Sequence, residues 1–158
     1  MPRATIDELL ADARHGLTRL DPTATRDAMR CGAALIDIRD DSQLAQDGAT
    51  AGALVIPRNM LEWRLDPSSR HRHPLAPSLD DQVILMCNEG YQSSLAAATL
   101  QQLGFIHATD LDGGFQAWRA AGLPVQQFVA PEKITTVATG TQPSDALHRL
   151  GRDGPLYA

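Results

Sequence analysis

The sequence holds only two cysteines, Cys31 and Cys87, in separate segments. That excludes a disulfide framework and offers no paired-cysteine zinc spacing. No apolar run approaches the roughly 20 residues needed to span a membrane. A basic excess is also missing: the net charge is −5, so neither a nucleic acid nor a membrane surface is an expected partner. The N-terminus, Met1-Pro2-Arg3-Ala4-Thr5, leads into a charged amphipathic helix and shows no apolar signal core, which makes the cytoplasm the expected compartment. At 158 residues the chain has room for one core and not for two ordinary domains.

What is present is an alternation of short apolar runs with helix patterns. Thr5 to Glu8 fits a capping box, and Ile6, Leu9, Leu10 and Ala13 share one face of a helix that Gly16 closes. Leu17 to Leu20 reads as a first strand. Asp21-Pro22 opens a helix through about Arg30, with Gly32 beyond its end, and Cys31 there reads as a bystander thiol or a small semi-buried hydrophobe. Strands are expected at Ala33 to Ile38, Leu54 to Ile56, Val83 to Met86 and Ala108 to Leu111. Short helices are expected at Ser42 to Gln46, Arg58 to Leu65 and Phe115 to Ala121, the last with Phe115 and Trp118 in the core. Asp66 to Pro77 is a proline-rich basic loop, and its His71-Arg72-His73 lacks a third ligand for a metal. This pattern describes a parallel sheet covered on both faces, with the ligand site beyond the C-terminal ends of the strands. The expected division is an N-terminal helix (1–16), a domain (17–128) and a polar tail (129–158) docked on the domain or on a second subunit, which leaves a homodimer open.

The chain is organised around Val83-Ile84-Leu85-Met86, a buried strand by its continuous apolar character. It runs into Cys87-Asn88-Glu89-Gly90-Tyr91-Gln92-Ser93-Ser94 and then a strong helix former, with Ser93 or Ser94 read as its N-cap. A tight loop opening into a helix N-terminus aims unpaired N–H groups at its own centre, here the sulfur of Cys87. Such a cradle favours a thiolate and holds an anion beside it.

This stretch resembles the active-site loop of the rhodaneses, the sulfurtransferase superfamily. The frame around it matches in order and spacing: Leu35-Ile36-Asp37-Ile38-Arg39, then Gly48 to Pro57, then Asp112-Gly113-Gly114-Phe115-Gln116-Ala117-Trp118. The resemblance covers about Leu17 to Val125 and implies a three-layer α/β fold with a five-stranded parallel sheet between helices. It implies a catalytic Cys87 that carries sulfane sulfur as a persulfide, a cradle of Asn88, Glu89, Gly90, Tyr91, Gln92 and Ser93, and no metal or cofactor. The partners it implies are a small sulfur-donor anion such as thiosulfate and a thiol or cyanide-like acceptor. Asp37 and Arg39 would brace the loop or help hold the donor anion, or else form only a surface ion pair at a strand end. Two departures stand out: Glu89 and Gln92 occupy loop positions where many active members carry a basic residue, and Thr50 stands near the place of a family histidine. Arg58 and Arg64 could supply the missing charge from the rim, or their segment with Trp63 could be a capping turn over the core. The alternative function is a catalytically weak, rhodanese-like sulfur-binding or interaction module. A phosphatase of the same fold would need an arginine six residues after the cysteine, where this chain has Ser93.

Overall fold

The computed structural model describes residues 2–130. The expected tail, 129–158, therefore lies outside the described residues except for its first two. Four parallel strands form the central sheet: β1 (Ala34–Asp37), β3 (Leu54–Val55), β4 (Val83–Met86) and β5 (Ala108–Asp110), in the order β3-β1-β4-β5. The register pairs Asp37 with Met86 and Val83 with Ala108. Beyond β5 the chain expected as a first strand contributes an isolated parallel bridge, Leu20 to Leu111. Leu20 bonds through its N–H to the Asp110 carbonyl and through its carbonyl to the Asp112 N–H. The three-layer fold class holds, with this bridge in the position of a fifth strand.

Side-chain alternation along β4 divides the core into two layers. Val83, Leu85 and Cys87 face one layer, with Ile36, Ile38 and Ile56 from the sheet and Ala96, Ala97 and Leu100 from α5 (Gln92–Gln102). Leu61 and Leu65 of α4 (Leu61–Leu65), with Phe105 and Ala108, complete that layer. Ile84 and Met86 face the other, with Leu35, Leu111, Phe115 and Trp118. There α6 (Gly114–Ala120) supplies Phe115 and Trp118, and Ala28 and Met29 of α2 (Pro22–Arg30), which is capped by Asp21, pack on the same cluster. All four β4 residues are fully buried, as a central parallel strand requires.

Two further elements depart from expectation. A two-stranded antiparallel ribbon joins β2 (Ala49–Thr50) to β6 (Val125–Gln126); two-residue strands carry no alternation to read. Trp63 does not cover the core. It is half exposed, and Leu61 and Leu65 of the same turn fill the interior instead. Packed against α5, α1 (Ile6–His15) begins on the expected capping box of Thr5 and Glu8. None of its residues is fully buried. The helix α3 (Asp41–Asp47) is capped by Asp40 and ended by Gly48.

Candidate active site

Because Cys87 continues the alternation of β4, its side chain falls on the α5 face of the sheet, beneath the first turn of that helix. The loop from Cys87 to Tyr91 turns the chain into α5, which starts at Gln92 without a side-chain cap. Ser93 and Ser94 are thus inside the first turn and buried, not capping. Their hydroxyls are drawn away from the backbone by a buried anion: each donates to Asp110 Oδ2 at 2.8 Å. Asp110 has no exposed surface. Arg19 completes its coordination, with Nε 2.9 Å from Oδ1 and Nη2 3.2 Å from Oδ2. Burial opposes the charge on Arg19, but Asp110 and then Asp112 outweigh it and raise the guanidinium above its ordinary value.

Cys87 is 2% exposed. Its Sγ lies 3.2 Å from Ser93 Oγ and accepts the Gly90 N–H at 3.1 Å. The Ser93 hydroxyl has one proton. While the hydroxyl donates that proton to Asp110, its oxygen is an acceptor toward a Cys87 thiol, and a thiolate competes with Asp110 for the hydrogen bond. Among the described residues no hydrogen bond is made by the backbone N–H of Asn88, Glu89, Tyr91, Gln92 or Ser93. These are donors free for an anion at the helix N-terminus.

The loop is held from behind by α6. Phe115 N–H donates to the Cys87 carbonyl at 2.8 Å and Gln116 N–H to that of Asn88 at 3.0 Å; Gln116 Nε2 also reaches Asn88 Oδ1 at 2.9 Å. The approach is so close that a Cβ on Gly114 would sit 2.5 Å from the Cys87 oxygen. One on Gly90, whose φ is +84°, would sit 2.7 Å from Gly113 N. Both glycines are therefore required by conformation and by space.

Asp37 and Arg39 are fully buried and form a two-pronged pair, Nη2 to Oδ2 at 2.6 Å and Nε to Oδ1 at 3.0 Å. Arg39 also donates to the Gly48 carbonyl and stacks 3.7 Å over the Phe115 ring. It touches α6, which holds the loop, and its hydrogen bonds go to Asp37 and Gly48 and not to the loop itself. Arg58 pairs with Glu62 one turn on, at 2.7 Å, and Arg64 donates to the His71 carbonyl at 2.7 Å. Each is engaged locally. Glu89 and Gln92 are exposed, and Thr50 is buried with its hydroxyl toward Met86 Sδ. Cys31 is an exposed cap of α2, and no group of three or more metal-binding side chains exists among the described residues.

Three residues around the loop escape sequence reasoning: Arg14, Arg19 and Asp110. Arg14 Nη2 and Arg19 Nη2 both donate to the Gly90 carbonyl, at 2.8 and 2.9 Å, and Arg14 Nε donates to Ser94 Oγ at 3.1 Å. The only sequence signals were two arginines flanking Gly16 and a carboxylate in a short strand, Ala108-Thr109-Asp110.

A parallel sheet with a cysteine loop at its C-terminal edge, opening into a helix and backed by a second, defines an α/β protein built around one cradled thiol. The Rhodanese-like domain model matches residues 21–121, and the chain belongs to that family. It is 34% identical over 102 residues to the thiosulfate sulfurtransferase GlpE of Ectopseudomonas mendocina, an alignment covering 65% of this chain and 84% of that one. It is also 34% identical over 98 residues to a sulfurtransferase of Allochromatium vinosum, covering 62% and 79%. Among solved structures, a Rhodopseudomonas palustris protein of unknown function, described as a possible tyrosine phosphatase, superposes with a TM-score of 0.71 at 31% identity, covering 80% of this chain and 99% of that one. The polysulfide-sulfur transferase homodimer of Wolinella succinogenes shares the fold, with a TM-score of 0.60 at 22% identity over 77% and 86% of the two chains. The sulfurtransferase relatives support rhodanese-type sulfur transfer in general terms.

Proposed function

We propose that the chain is a sulfurtransferase that moves sulfane sulfur from a small donor, such as thiosulfate, to a thiol or cyanide-like acceptor through a persulfide on Cys87. The Cys87 thiolate attacks the outer sulfur of the donor, and the donor's S–S bond breaks with its electron pair leaving on sulfite. The acceptor then takes the outer sulfur of the persulfide and returns Cys87 to the thiolate. The observation that carries this reading is the Gly90 N–H on Cys87 Sγ, in a loop whose neighbouring N–H groups are unbonded. Donors so placed stabilise negative charge on sulfur without reorganising.

The phosphatase suggested by the Rhodopseudomonas description is the weaker reading. Ser93 stands six residues after the cysteine and gives its hydroxyl to Asp110, so no guanidinium there clamps a phosphoryl group. Two free thiols fit the reducing cytoplasm, and among the described residues no helix is long and apolar enough to cross a membrane.

Treatment with thiosulfate, and separately with a mercapto-acid donor, followed by mass spectrometry and cyanide trapping, tests the proposal. A sulfur adduct on Cys87 with cyanide-dependent turnover is expected. Cys87→Ser should lose both while keeping the fold, and Cys31→Ser should keep both. An adduct confined to Cys31, or none with either donor, refutes the assignment.

A further inference from the structure

The loop itself carries no cation, and the arginines near it are mostly neutralised. Arg19 is shared between Asp110 and Asp112, Arg39 is paired with Asp37, and Arg58 with Glu62. Arg14 differs. Among the described residues it has no carboxylate partner, and its guanidinium is spent on the Gly90 carbonyl and the Ser94 hydroxyl, with the Tyr91 ring 5.7 Å away. It is half-buried, so solvent screens its charge incompletely.

Its position also orients the loop. The Gly90 carbonyl is pinned by two guanidiniums, and the described residues contain no cis peptide. In a trans peptide the C=O and the following N–H point in opposite directions, so the unbonded Tyr91 N–H faces away from Arg14 and Arg19. A positive charge on the carbonyl side polarises that N–H further as a donor. Arg14 lies on α1, ahead of the family match at 21–121.

We propose that Arg14 is the working cation of the cysteine loop, a positioning residue that fixes the Gly90–Tyr91 peptide and draws anionic donors to Cys87 in place of the basic residue absent at Gln92. The proposal rests on Cys87 being the sulfur carrier, yet its test needs no sulfur donor.

The test compares the alkylation rates of Cys87 by neutral iodoacetamide and by anionic iodoacetate, followed on the Cys87 peptide so that Cys31 does not interfere. Thiolate fraction and loop order affect both reagents, and dividing one rate by the other cancels them; the local field affects the ratio. Arg14→Gln is expected to lower the iodoacetate-to-iodoacetamide ratio about three- to tenfold at low salt, an effect that shrinks as salt is raised. Arg14→Lys, which keeps the charge and loses the fork, should hold the ratio within about twofold of the wild type. In turnover, Arg14→Gln should raise KM for thiosulfate more than it lowers kcat. A ratio unchanged in Arg14→Gln overturns the proposal, as does a fall in both rates in step that Arg14→Lys shares equally, which is the signature of a merely structural arginine. Absence of any Cys87 sulfur adduct in the wild type would sink the sulfurtransferase reading and leave the field measurement standing.

Discussion

Replacing Gly90 by alanine separates two contributions that the structure keeps apart. Gly90 has φ +84° and its Cβ would lie 2.7 Å from Gly113 N, 3.2 Å from Gly113 Cα and 3.2 Å from Gly114 N. Those atoms are backbone and cannot swing aside as a side chain can. Gly32 has φ +100° with nothing within 4 Å, so alanine there meets the conformational cost alone, about 1–2 kcal/mol. At Gly90 the same cost is joined by overpacking of about 1–3 kcal/mol, giving roughly 2–5 kcal/mol in all. Urea denaturation of the two variants and the wild type should show Gly90→Ala losing at least about 1 kcal/mol more than Gly32→Ala. Activity should diverge further. Relief of the clash moves the Gly90 N–H off Cys87 Sγ, and loss of one such preorganised donor typically lowers turnover by about a hundredfold, whereas Gly32→Ala should transfer sulfur at the wild-type rate. Equal stability losses in the two variants, with turnover retained in Gly90→Ala, would refute the claim that the loop is wedged against α6.

Arg19→Gln leaves Asp110 buried with two hydroxyls and no cation, so a loss of about 3–5 kcal/mol is expected by denaturation, with Arg26→Gln, whose partner Asp27 is exposed, as the near-neutral control. Glu89 is exposed, and Glu89→Lys should therefore raise kcat/KM for thiosulfate by no more than about threefold at low salt, with the gain vanishing at high salt in steady-state kinetics. The Thr5 N–H, then its hydroxyl, holds the Glu8 carboxyl below its ordinary value. A carboxyl lowered in the folded state stabilises above its unfolded pKa, and that contribution disappears as pH falls through the folded one. Acidification below about pH 4 should thus fray the start of α1 first, seen as faster amide exchange there than in α5.

The parts of this molecule that were readable in the sequence are those governed by local pattern. Val83 to Met86 is continuously apolar because both faces of the strand are covered, and the cysteine after it needed no long-range information. Asp21, Thr5 and Glu8 announce their helices through caps that act within three residues. The site's charge balance was illegible for the opposite reason. Arg14 and Arg19 reach Gly90 across 76 and 71 residues of chain, and Asp110 lies 17 residues from Ser93. Ser93 and Ser94 have the composition of caps, and only the anion beneath them turns their hydroxyls inward. Arg58 and Arg64, assigned by topology to the rim, found partners close in sequence in Glu62 and His71 before any wall could form.

The depth of Cys87 has a consequence for when the protein is vulnerable. At 2% exposure, on the end of a strand with no exposed residue, the empty thiol reacts only with small molecules that enter the cradle and cannot swing out toward a larger partner. A bound sulfur adds one S–S bond of about 2 Å and so moves the reactive atom from the floor of the cradle toward its mouth. In the proposed cycle, the persulfide is therefore more open to peroxide than the resting thiolate is. Oxidative damage should then accumulate with donor supply and fall with acceptor supply, making the lifetime of the persulfide, and not the abundance of the protein, the quantity a cell has to keep short.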